Sequence, residues 1–274
     1  MKHNTAKQYC TLIALVALFY LLLMVAIAIF TMKGVEQWRM LMATSALQNI
    51  GIFIIPAVIT ARIFNPGSTM QVMGINRLPG IVPTLLVLLI YITSIPMLNG
   101  IVTWNENWPL PEWLSWMREL EEQMAATTEQ MLALTSVTRL IVAILLVGVL
   151  TGIGEEFIFR GTVQRLMSER NINIHVAVWV TAAIFSAIHF QPLGFVPRLL
   201  LGAYFGYLLA WSRCLWLPIL AHALNNSVAV VAYYTPSIES MPWIGESVTT
   251  ASFAISTTLT IALLYLFYRL YHHN

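Results

Sequence analysis

Eight stretches of the chain are apolar over roughly the length of a bilayer crossing. They run from Cys10 to about Thr31, Leu41 to Ile63, Val82 to Val102, Val137 to about Ile158, Ile174 to Phe190, Gly194 to Trp211, Leu215 to Tyr234 and Thr249 to Tyr271. A helix needs roughly 20 apolar residues to cross a hydrocarbon core of ~30 Å, and helices and closed barrels alone satisfy their backbone polar groups in lipid. The pattern predicts an all-α polytopic transmembrane bundle of about eight spans, with 1–274 as a single membrane domain. One connection has a different period. Between Trp104 and Thr135, Leu110, Trp113, Leu114, Met117, Leu120 and Met124 recur at helical spacing opposite Glu119, Glu121 and Glu122. Residues 104–135 therefore read as an interfacial amphipathic helix, with Trp104, Trp108, Trp113 and Trp116 suited to the headgroup zone.

Composition agrees with the pattern. Of 274 residues, 58% are hydrophobic and 9% charged, against about a quarter charged in soluble domains, and the mean hydropathy is +0.76. The lipid bilayer is thus the first expected partner. A net charge of +2 from scattered basic residues excludes a nucleic-acid footprint. Cys10 and Cys214 lack CxxC spacing, so neither a disulfide nor a thiolate metal site is expected. All twelve acidic residues are Glu, which rules out an aspartyl dyad. The first apolar stretch follows Lys2 and Lys7, and Ala26-Ile27-Ala28 resembles a signal cleavage site. That triplet lies inside a run longer than the usual ~7–15-residue signal core, so the stretch reads as a retained span.

Lys and Arg in short loops predict orientation. If every stretch spans, Lys2, Lys7, Arg62, Arg77, Arg160, Arg165, Arg170, Arg213 and Arg269 share one side, taken as cytoplasmic. The Glu-rich segment Glu106 to Glu129 and the Glu239–Glu246 loop fall opposite, with Lys33, Arg39 and Arg198 as exceptions. The expectation is a plasma (inner) membrane protein with both termini cytoplasmic. The 104–135 insertion would then lie on the non-cytoplasmic face, as a surface anchor or, alternatively, a lid over a substrate entrance.

Charged residues deep in a span cost ~2.5–3.5 kcal/mol each, so they are usually internal and functional. They form three clusters within 137–235. In Gly154-Glu155-Glu156-Phe157-Ile158-Phe159-Arg160, Glu156 and Arg160 share a helix face at i,i+4, while Glu155 points elsewhere without an evident partner. The others are Phe185-Ser186-Ala187-Ile188-His189 and His222-Ala223-Leu224-Asn225-Asn226, the latter pairing His222 with Asn226 at i,i+4. Each alone reads as a snorkelling ion pair or a packing hydrogen bond. Together they place a carboxylate, two imidazoles and an amide in one small bundle, the groups that base- or metal-assisted hydrolysis requires. HExxH and GxSxG are both missing.

EExxxR, FxxxH and HxxxN, in that order between Gly154 and Asn226, resemble the CAAX prenyl endopeptidase and bacteriocin-processing (CPBP, or Abi) family of intramembrane proteases, relatives of the Ras-converting CAAX endopeptidase. The resemblance implies an endopeptidase acting on a membrane-associated protein or peptide. It makes Glu155 and His189 a water-activating pair, His222 and Asn226 the oxyanion stabilisers, and Glu156 and Arg160 supporting groups, either structural or at a substrate carboxylate. A zinc-dependent version would use Glu155, His189 and His222 as ligands and leave Glu156 as the base. The metal-free version is favoured because Glu156 already has Arg160. A non-catalytic scaffold or transporter-like protein with a buried polar site is the competing class.

One conflict remains inside this reading. His189 would lie ~20 Å along its helix from His175 at 1.5 Å per residue, too far to meet Glu155. It is relieved if the fourth helix continues through Gln164 or Met167 and the fifth begins outside the bilayer near Asn171. The expected site is then tilted, buried and open toward the cytoplasm.

Overall fold

The structure is a computed structural model describing residues 5–170, 172–235, 237, 243 and 248–272. Lys2, His3, Asn171, His273 and all of the Glu239–Glu246 loop except Trp243 lie outside the described residues. Every apolar stretch is a helix: α1 (Thr5–Met32), α2 (Gln37–Phe64), α4 (Ile81–Glu106), α6 (Val137–Glu169), α7 (Ile174–Ala187), α8 (Pro192–Ser212), α9 (Trp216–Tyr234) and α10 (Thr250–His272). Two shorter or polar helices join them, α3 (Thr69–Met73) and α5 (Ser115–Met131). Among the described residues there are no strands.

Six helices, α1, α2, α4, α6, α8 and α10, are long and apolar enough to cross a membrane. Of the eight expected spans, two elements do not meet this measure. Helix α7 has 14 residues, about 21 Å at 1.5 Å per residue, which is short of a bilayer core. Helix α9 is long enough, but His222, Asn225, Asn226 and Ser227 in its middle dilute its apolar character. The insertion is also shorter than its sequence range. Helix α4 runs on to Glu106, so Trp104 belongs to it, and α5 begins only at Ser115.

The boundaries around the motif clusters differ from simple apolar runs in a way that brings the clusters together. Helix α6 continues past Ile158 to Glu169, and α7 starts at Ile174 with Asn173 as its cap, its Oδ1 accepting from His175 N at 2.8 Å. Helix α7 ends two residues before His189. The His189 and Phe190 amides donate to the Ser186 and Ala187 carbonyls, and Phe190 turns left-handed at φ 53°. His189 therefore sits on the turn into α8 and not within a helix. Two stretches of α6, Ile144–Leu150 and Phe159–Gln164, are wound wider with i→i+5 bonding. Such turns are common at functional sites, and here they flank Glu155 and Glu156.

Helix α6 packs closely on α9 because its contact face is small. Gly148 and Gly152, one turn apart, face Ser227 and Ala223, and a Cβ on Gly152 would stand 2.8 Å from the Ala223 backbone nitrogen. Small residues at this spacing let membrane helices approach backbone to backbone. Gly152→Val is expected to force α6 and α9 apart, costing about 1–3 kcal/mol as overpacking does. The check is a thermal melt of purified protein, and an unchanged midpoint would contradict the close approach. Cys10 is exposed and Cys214 buried, and both are free.

Candidate active site

Glu155 and Glu156 project from the middle of α6 and are both buried. The i,i+4 pairing holds: Arg160 Nη1 donates to Glu156 Oε1 at 2.7 Å, with both side chains 0% exposed. Arg160 Nη2 donates to the Gly202 carbonyl of α8 at 2.8 Å, and the guanidinium carbon lies 4.6 Å from the centre of the Phe185 ring. A buried cation is tolerated when most of its donors are met, and here a carboxylate and a carbonyl take Nη1 and Nη2 and an aromatic face covers the guanidinium, while Nε has no partner among the described residues.

His222, from α9, stands between the two glutamates. Its Nδ1 is 2.8 Å from Glu156 Oε1 and its Nε2 is 3.5 Å from Glu155 Oε2. The ring stacks on Phe205 at a centroid distance of 4.8 Å, and Phe185 packs edge-on against it. Its orientation is thus set on three sides. Since a carboxylate accepts only, the short contact fixes Nδ1 as the donor and directs Nε2 toward Glu155.

His189 approaches from the turn after α7. Its Nδ1 donates to the Phe185 carbonyl at 2.7 Å, which leaves Nε2 as the nitrogen with a lone pair. Glu155, His189, His222 and Asn226 all line one cavity of about 480 Å³. The structure brings these expected residues to a common space but does not join them all directly. Glu155 lies nearest His222, and the expected pairing with His189 is made through the cavity and not by a hydrogen bond. Asn226 Nδ2 donates to the Val147 carbonyl at 3.4 Å, and its Oδ1 accepts from Asn225 at 3.3 Å. Glu156 and Arg160 stand behind the cavity wall.

Four cavity residues were missed. Asn225 is three positions from His222 and so shares its face as well as Asn226 does. Arg198 is a charged residue inside an apolar stretch, and the cost argument applied to Glu155 would have found it. Gln191 and Glu121 carried no sequence signal, because only the fold brings them in. Arg198 Nη2 donates to Gln191 Oε1 at 2.8 Å, and Glu121 Oε2 accepts from the Leu193 amide at 3.1 Å.

The zinc alternative needs Glu155, His189 and His222 as one ligand set. Among the described residues no three His, Cys, Asp or Glu side chains are grouped so as to hold a metal ion. His222 Nδ1 and His189 Nδ1 each face an acceptor, and the nitrogens left for any further partner are His222 Nε2, 3.5 Å from Glu155 Oε2, and His189 Nε2.

Residues 137–228 match the family model described as Rce1-like, type II CAAX prenyl endopeptidase. That segment is similar to the Rce1-like family. The matched segment begins with α6 and ends within α9, and so contains all three motif clusters. Searches of curated proteins and of solved structures returned no match. With six apolar helices of spanning length, the Rce1-like segment supports an integral membrane protein that is a CAAX-type intramembrane endopeptidase. The family likewise supports a membrane-associated peptide or protein as substrate.

Glu106 at the end of α4 and Glu121 and Thr128 of α5 line the cavity together with Gln191, so it reaches toward the end of the bundle that carries the insertion. Arg62, Arg77, Arg165 and Arg213 mark the opposite end, where Arg77 Nη2 reaches the Ser212 carbonyl at 3.4 Å.

Proposed function

We propose that the chain is an intramembrane endopeptidase that hydrolyses a peptide bond with Glu155 as base, without a metal. The observation that carries this reading is the Glu155–His222–Glu156–Arg160 chain beside a cavity that also receives His189 Nε2. Along this chain acidic and basic groups alternate. Water held by His189 Nε2 gives a proton to Glu155 while its oxygen attacks the scissile carbonyl carbon. The oxyanion takes a hydrogen bond from His222 Nε2–H and from the Asn225 and Asn226 amides. Proton uptake by Glu155 removes one negative charge beside the cavity as the oxyanion forms, so the two changes in charge offset one another. The C–N bond then breaks, and the amine leaves with the proton from Glu155.

Arg160 is fully buried behind Glu156, so the substrate-carboxylate role falls to Arg198, the arginine on the cavity wall. A charge-assisted hydrogen bond is worth ~1.5–3 kcal/mol. Arg198→Gln is expected to raise KM about 10- to 100-fold for a peptide ending in a free carboxylate and to leave KM for its amide unchanged. Equal effects on both peptides would remove the assignment. An apolar cavity of about 260 Å³ shares Leu201 with the catalytic one, which favours a substrate carrying a lipid chain such as a prenyl group. In the proposed orientation the basic end and both termini are cytoplasmic in a plasma membrane, α5 lies at the opposite interface beside the cavity mouth, and substrate enters from that side.

The test is incubation of vesicles containing the purified protein with prenylated and unlipidated membrane peptides, with products identified by mass spectrometry. One internal cut, favoured by the lipid, is expected. Absence of any cut across the panel would defeat the enzymatic reading in favour of a scaffold or transporter.

A further inference from the structure

A second polar cavity, of about 310 Å³, lies at the basic end of the bundle between α3, α6 and α8. Its lining includes Arg160, Arg165, Arg213, Gln71, Gln164 and Ser168 and contains no acidic residue. The Arg165 side chain is only 10% exposed; its Nη1 is paired with Glu169 and its Nε donates to the Gly161 carbonyl at 3.0 Å. Its Nη2 is buried with no partner among the described residues, and so are Gln164 Oε1 and Arg160 Nε. An unmet buried guanidinium donor costs several kcal/mol unless something accepts from it. Arg160 and Arg165 are paired with Glu156 and Glu169, so the charge left over at the hollow is that of Arg213, and the unmet Arg165 Nη2 beside it calls for an acceptor.

We propose that this cavity binds a phosphate group, supplied by the headgroup of an anionic membrane lipid. Arg165 Nη2 and the Arg213 guanidinium hold the phosphate oxygens, which suit the fork geometry of arginine. Gln164 Oε1 accepts from a headgroup hydroxyl. The location fits the source. Basic pockets between helices at the cytoplasmic face are where anionic headgroups bind, and the ends of α6 and α8 place this one level with Arg77 and Arg170. The site is separate from the catalytic cavity, and Arg160 is the residue between them. The assignment does not depend on the chain being a protease.

The test measures binding of phosphatidic acid, phosphatidylcholine and inorganic phosphate to the purified full chain by native mass spectrometry and thermal shift. Phosphatidic acid is expected to bind at least 10-fold more tightly than phosphatidylcholine and to raise the melting temperature. Arg213→Gln should weaken that binding at least 10-fold, and Ser168→Glu, which adds a carboxylate inside the cavity, should do the same in a protein with an unchanged lipid-free melt. Binding of inorganic phosphate with the same variant sensitivity, but no preference among lipids, would assign the site to a soluble phosphate and overturn the lipid source. Equal binding of both lipids, untouched by either variant and with no phosphate effect, would overturn the site itself.

Discussion

Glu155→Gln is expected to lower the cleavage rate by about 10²–10⁴-fold, the range a positioned general base contributes, with little change in melting temperature. Glutamine has the same shape and keeps the packing, but it cannot take the proton from water. The loss should appear in kcat, because the carboxylate acts on the water and not on the substrate's tail. His222→Ala should be at least as damaging, since it removes the Nε2 donor and also leaves Glu156 Oε1 with Arg160 alone. A Glu155→Gln protein that cleaves at the wild-type rate would leave a non-catalytic polar site as the better reading.

Arg160→Ala should be the most destabilising single change in the core. It strands the Glu156 carboxylate in a site with no exposure, and breaking a buried pair from one side costs about 3–5 kcal/mol. The double change Arg160→Met with Glu156→Gln removes both charges, and much of the lost stability should return, because paired removal of buried ions is often neutral. Activity should not return with it, because His222 loses the carboxylate that fixes its Nδ1 proton. The checks are melting temperatures of the three proteins and the cleavage rate of the double variant. A double variant that regains both stability and activity would reduce Glu156 to a structural partner.

Much of the fold was legible because lipid imposes simple rules. All eight apolar stretches became helices, and the Glu156–Arg160 pair followed from helix geometry alone. The span count was less legible, because runs such as Ile174 to Phe190 hide where a helix stops. The tight turn at Ser186 to Phe190 and the following Pro192 end α7 early, which is what lets His189 reach the cavity. The end of α6 was legible only indirectly: charged letters looked like a boundary near Arg160, and the need to bring His189 to Glu155 called for a helix continuing through Gln164 or Met167, as it does to Glu169. Contacts between distant helices left no local trace. The Glu156–His222 bond spans 66 positions and depends on Gly148 and Gly152 admitting α9.

The central claim is that peptide is cut in the cavity shared by Glu155, His189 and His222. A substrate peptide with a photoreactive group beside its scissile bond, bound to the folded Glu155→Gln protein in vesicles and irradiated, tests it most directly. The account predicts adducts on Gln191, Asn225 or Arg198, competed away by uncut substrate. Adducts confined to the outer faces of α1 and α10, or to the basic-end cavity around Arg213, would contradict it.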